Sequence, residues 1–158
     1  MKWVDGSEID PKEFSGEELC EKLAGEMWDC REKWNECAEF IQNALRIIDF
    51  DTVICMEGFS TPYNNYFSAE EYSKIIEAFQ AIGDNNDADI LTEASKLDIH
   101  YQNLLNSAKN KNDKNEFDKI YYEFSEKIDE LGNKIYINKN FDIWNLLYRY
   151  LDKQISEM

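Results

Sequence analysis

The chain has 158 residues, 43% of them apolar, enough to build the core of one domain and too apolar for a disordered polymer. Its 17 Lys and Arg face 33 Asp and Glu, a formal net charge of -16, which excludes direct attraction to nucleic acid or anionic lipid and leaves basic proteins or cations as long-range partners.

The opening MKWVDGSEIDPKEF has no sustained periodicity, and Gly6 and Pro11 mark residues 1–14 as an irregular lead-in that Trp3 and Val4 can dock. Ser15 and Glu18 then have capping-box spacing, followed by Leu19, Leu23, Met27, Cys30, Trp34, Cys37, Ile41, Ala44 and Ile48 at intervals of three and four. Unbroken, about 33 residues at about 1.5 Å each would make a rod of roughly 50 Å, long for one domain. The expectation is one long helix with a bend, or two in series, broken near Gly25 or the DCRE of residues 29–32. The stretch VICMEGFSTPYNNYFS (53–68) interrupts the pattern: Val53, Ile54, Cys55 and Met56 are expected to bury, and Gly58 and Pro62 to turn the chain.

Ser68 and Glu71 repeat the capping pattern ahead of Tyr72, Ile75, Ile76, Phe79 and Ile82, with Gly83 as the stop. DNNDAD loads acids at the start of a further helix carrying Ile90, Leu91, Ala94, Leu97, Tyr101, Leu104, Leu105 and Ala108. After the polar KNKNDKN loop, Asp113 and Glu116 cap a helix with Phe117, Ile120, Tyr121, Phe124, Ile128 and Leu131, ending at Gly132. KIYIN reads as a brief extended connector, and Asn140 as the cap of a last helix with Phe141, Trp144, Leu147, Tyr148, Leu151 and Ile155 on its apolar face. The fold class is all-α: a single domain over 1–158, a bundle of five or six amphipathic helices behind an irregular lead-in.

Little in the chain carries catalysis. His100 is the only histidine and lacks a Glu three residues before it, so helix-bundle metal motifs and catalytic triads have no template. Cys30 and Cys37 fall on an apolar stripe as small core residues, and no Cys-x-x-Cys occurs. The cysteines read as reduced thiols. There is no glycine-rich phosphate loop or nucleophile elbow. No catalytic residue, cofactor or metal is expected, and with no N-terminal h-region and no long apolar run, a soluble cytoplasmic protein is.

Charge is distributed unevenly. Residues 99–158 carry ten acids and nine bases, whereas residues 1–98 carry 23 acids and eight bases; no base falls between Arg46 and Lys74. Acids gather in first turns to complement helix dipoles, which accounts for Glu70, Glu71 and Asp87 but not for the missing lysines.

Three segments resemble the bacterial DNA-mimic-protein family, long carried as a domain of unknown function. They are MEGFSTPYNNYFS (56–68), IIEAFQAIGDNNDADILTEASKL (75–97) and IDELGNKIYINKNFDIWNLLYRYLDK (128–153), within a similarity over roughly residues 40–153. The first keeps Gly58 where two glycines are usual, with Phe59, Tyr63, Asn64, Asn65, Tyr66 and Phe67 as the family-motif loop. The resemblance implies an all-helical protein, a homodimer in some members, whose carboxylates stand in for phosphates on a basic protein such as a helix-turn-helix regulator. The candidate acidic surface is then Glu57, Glu70, Glu71, Glu77, Asp84, Asp87, Asp89 and Glu93. The alternative is an immunity or adaptor protein that recognises its partner by shape, through Phe59, Tyr63, Tyr66 and Phe67 with Asn64 and Asn65.

Overall fold

A computed structural model of the chain describes residues 1–28, 31–60, 66–137, 139 and 142–158. Among these, six α-helices follow one another: α1 (Gly16–Glu26), α2 (Glu39–Glu57), α3 (Ala69–Ala81), α4 (Asn85–Asn110), α5 (Lys114–Gly132) and α6 (Ile143–Ser156). Two 3-10 turns, Pro11–Glu13 and Arg31–Glu36, precede α1 and α2. The all-α bundle agrees with the sequence pattern.

The N-terminal caps form where local chemistry places them. Ser15 and Ser68 each accept from the backbone N–H three residues on, and Glu18 and Glu71 reach back to complete both capping boxes. Asp113 accepts from the Glu116 N–H. The expected cap of α6 is corrected: Asp142 accepts from the Asn145 N–H at 2.9 Å and starts the helix there, while Asn140 and Phe141 lie outside the described residues. The long first stripe is two helices in series, separated by a stretch that includes the 3-10 turn Arg31–Glu36, which begins within the DCRE of residues 29–32. This break lets α1 fold back onto both α2 and α6. The close approach to α6 falls at Gly16, where a β-carbon would collide with the Tyr148 carbonyl.

The core centres on α2. Phe40, Ile41, Ala44, Leu45, Ile47, Ile48, Phe50 and Val53 are buried, because α1, α3 and α6 all pack against this helix. Burial stops short of the helix end. Cys55 and Met56, expected inside, are exposed, and they are the last full turn of α2 rather than a loop. Gly58 (φ +90) then ends the helix. The lead-in docks as expected, with Trp3 and Val4 buried.

α3 and α4 are joined by the tight turn Ile82–Asp84, where Gly83 adopts φ +87; α4 and α5 form a second helical hairpin across Lys111–Asp113. Tyr101 packs its ring on Phe124 and donates its hydroxyl to Glu123 at 2.8 Å, clamping that hairpin midway. Gly132 closes α5 for a steric reason. A β-carbon there would stand 2.8 Å from Phe59 Cβ and Cγ, so the side chain following Gly58 rests directly on this position. Residues 134–137 of the KIYIN connector belong to no strand, with Ile135 and Ile137 buried and Tyr136 partly exposed, and Asn138 lies outside the described residues.

Candidate partner-binding surface

The eight acids expected to form one surface divide into groups with different surroundings. Glu77 lies on the outer face of α3, and Asp89 and Glu93 on the outer face of α4; all three are exposed. The turn at Ile82–Asp84 brings the last turn of α3 beside the first turns of α4, so the three sit at the same end of this helix pair. Among the described residues none of them is in an ion pair. Arg46 of α2 feels Glu77 at longer range.

Glu70 and Glu71 are exposed but engaged. Lys74 donates to Glu70 at 2.7 Å across one helical turn, and that bond holds the Glu70 carboxyl below its usual range. Glu71 completes the capping box, and the Ser68 N–H it accepts lowers its pKa. It also approaches Arg31 at 3.7 Å. Glu57 is exposed at the end of α2.

Asp84 and Asp87 are not on the surface, which corrects the expectation for both. Asp87 is fully buried, and its two oxygens accept the backbone N–H groups of Tyr136 (2.7 Å) and Ile137 (2.9 Å), with the Asn86 amide donating at 2.9 Å. It therefore ties the start of α4 to the connector after α5. Asp84 caps α4 through the Asp87 N–H at 3.1 Å, and its other oxygen, Oδ2, is buried with no donor in reach among the described residues. A proton on Asp84 gives that oxygen a bond to make, to the Asp87 carboxylate. Burial first, and this bond second, push the Asp84 pKa up to about 7.

Sequence reasoning missed both this clamp and a second polar cluster. Asp49, buried on α2, accepts from Arg31 at 2.8 Å. The Arg31 guanidinium lies over the rings of Trp34 (5.3 Å) and Phe67 (5.7 Å). Burial raises the Asp49 pKa while Arg31 opposes the rise. No local signal marks either set, because the partners are 18 residues apart for Arg31 and Asp49 and 49 or 50 apart for Asp87 and its donors.

The aromatic loop is mostly packing. Phe67 is buried against Phe50, and Phe59 is half-buried over Gly132, so neither is the exposed anchor that recognition by shape would need. Tyr66 is exposed at 45%. Tyr63, Asn64 and Asn65 lie outside the described residues, as do Pro62 and Cys30.

Among the described residues no group of histidine, cysteine and acidic side chains is arranged to hold a metal ion, and no helix is long and apolar enough to cross a membrane. No curated protein and no solved structure matches the chain. The family described as DMP19-like protein, DMP19 being DNA mimic protein 19, matches residues 35–154, which takes in α2 to α6 and leaves the lead-in and α1 outside. With well over half of its length matched, the chain belongs to the DMP19-like protein family.

Proposed function

We infer that this protein is a non-catalytic acidic interaction protein that occupies the nucleic-acid-binding surface of a basic protein, such as a helix-turn-helix regulator, in place of DNA. The observation that carries this reading is the group Glu77, Asp89 and Glu93: exposed, outside any ion pair among the described residues, and set on two packed helices. Rigid helices fix carboxylate spacing. Residues four apart rise about 6 Å along a helix axis, close to the axial rise of roughly 6.8 Å over two nucleotide steps of one DNA strand. Asp89 and Glu93 have that spacing.

The test uses the immobilised full chain to capture DNA-binding proteins, then measures release by salt and by duplex DNA. The triple reversal Glu77→Lys, Asp89→Lys, Glu93→Lys should weaken capture about a hundredfold, taking about 1 kcal/mol per lost exposed contact. Captured protein should also leave when duplex DNA is added. Capture that is indifferent to salt and to the triple reversal, or a captured regulator that holds DNA and this protein together, refutes the reading.

A further inference from the structure

A cavity of about 730 Å³ opens between the first half of α3 and the middle of α4, within the size range of ligand sites. Tyr66 and Ile99, both exposed, line it together with Phe67 and Tyr72, which are buried. Glu71 and Asp98 border it, and among the described residues no lysine or arginine lines it. The Asp98 carboxylate is half-buried, and its Oδ1 accepts from Gln102 at 3.2 Å.

The chain itself shows what such walls hold. On the neighbouring cavity, which shares Phe67, Ser68 and Glu71 with this one, Arg31 sits over Phe67 and Trp34 with its charge met by Asp49 and, farther off, Glu71. A flat, weakly hydrated guanidinium stacks on aromatic faces and pairs with a carboxylate at its edge, which a compact, strongly hydrated ammonium does less well. The α3–α4 cavity offers a similar combination, the exposed ring of Tyr66 and the partly desolvated carboxylate of Asp98, but among the described residues without a base.

We propose that the α3–α4 cavity is an arginine-binding pocket, in which an arginine side chain of the basic partner stacks against the exposed ring of Tyr66 and pairs with Asp98. This deepens the reading of the protein as an acidic interaction protein and rests on it for the source of the arginine. The surface acids Glu77, Asp89 and Glu93 attract the partner; the pocket sets its register.

The probe is L-argininamide, titrated into the isotopically labelled full chain and followed by amide chemical shifts, with L-lysinamide as the comparison. Shifts should concentrate in residues 66–76 and 95–99. Argininamide should bind more tightly than lysinamide, and Asp98→Ala should weaken it about tenfold, the equivalent of about 1.4 kcal/mol. Ser73→Trp, which fills the cavity from the exposed face of α3 without removing a charge, should abolish the pattern. Equal binding of both amides, or shifts spread over the Glu77, Asp89 and Glu93 face, overturns the pocket and leaves the acidic-surface reading intact. Conversely, local argininamide binding with partner capture unaffected by Asp98→Ala and Ser73→Trp overturns the partner assignment. Loss of capture in both variants, with thermal stability retained, supports the full proposal.

Discussion

Replacing Asp87 by alanine tests the correction the structure makes to the acidic motif. In solvent this residue would be one of 33 acids, and its loss would change stability by no more than about 0.5 kcal/mol. In the fold its carboxylate receives two backbone N–H groups at 2.7 and 2.9 Å. Ile137 is buried, so its N–H would be left without water or partner, a loss of about 1–3 kcal/mol. Tyr136 is 38% exposed, so its N–H recovers part of its bond from solvent and falls near the low end, about 1 kcal/mol. The Asn86 amide also loses an acceptor. Protonated Asp84 loses its acceptor as well, while above about pH 7 removal of the neighbouring carboxylate relieves like-charge proximity. The net expectation is a loss of about 2–4 kcal/mol, a large part of the roughly 5–15 kcal/mol that holds a domain folded. Urea titration measures it: the midpoint should fall with the slope unchanged, and Asp89→Ala, two residues on, should leave both alone. Hydrogen exchange gives the local readout, since the Tyr136 and Ile137 amides should lose protection before the rest of the chain. A loss below about 1 kcal/mol with both amides still protected would show that the carboxylate does not hold the connector, and the reasoning would fail.

Two further substitutions probe neighbouring contacts. The Asp84 pKa is raised from an unfolded value of about 3.9 to about 7, so the stability it contributes is full below the lower value and is lost as pH rises through the upper one. Asp84→Asn keeps an acceptor for the Asp87 N–H and supplies a permanent donor toward Asp87; the difference in urea midpoint between variant and wild type should therefore move in the variant's favour from pH 4 to pH 8, and a constant difference would refute the assignment. At the same open end of the α4–α5 hairpin, Gly132→Ala places a β-carbon 2.8 Å from Phe59 and should cost about 1–3 kcal/mol by overpacking. Adding Phe59→Ala should recover part of that loss, and strict additivity of the two changes in a double-mutant cycle would contradict the contact.

What was legible in the sequence is what is decided within a few residues. The capping boxes at Ser15 and Ser68 and the Asp113 cap close over three or four positions, and all three form. Helical periodicity likewise placed Tyr72, Ile75 and Phe79 inside. Failures occurred where a distant element decides the outcome. Cys55 and Met56 continue the apolar run of α2, but among the described residues no helix covers them and they are exposed. Arg31 and Asp49 meet only because the chain breaks after α1 and returns along α2. Asn140 carries a cap residue's chemistry, yet Asp142 has it too and lies at the position where α6 begins.

The acidic motif shows why a charge count could not separate structural from presented acids. Asp84 and Asp87 face inward, one capping α4 and the other holding the connector after α5. Two residues of helix turn the side chain by about 200°, so fixing Asp87 in the interior drives Asp89 to the opposite face, and Glu93, one turn further on, follows it. The buried carboxylates therefore do for the exposed ones what sequence spacing alone does not: they fix the rotation and depth of α4 against α3 and the connector. A protein that replaces phosphates with carboxylates needs that rigidity, because acids on a loosely held helix would lose on ordering the entropy that a DNA backbone has already given up. On this reasoning Asp87→Ala should weaken partner capture at a temperature where the variant is still folded, even though Asp87 touches no partner.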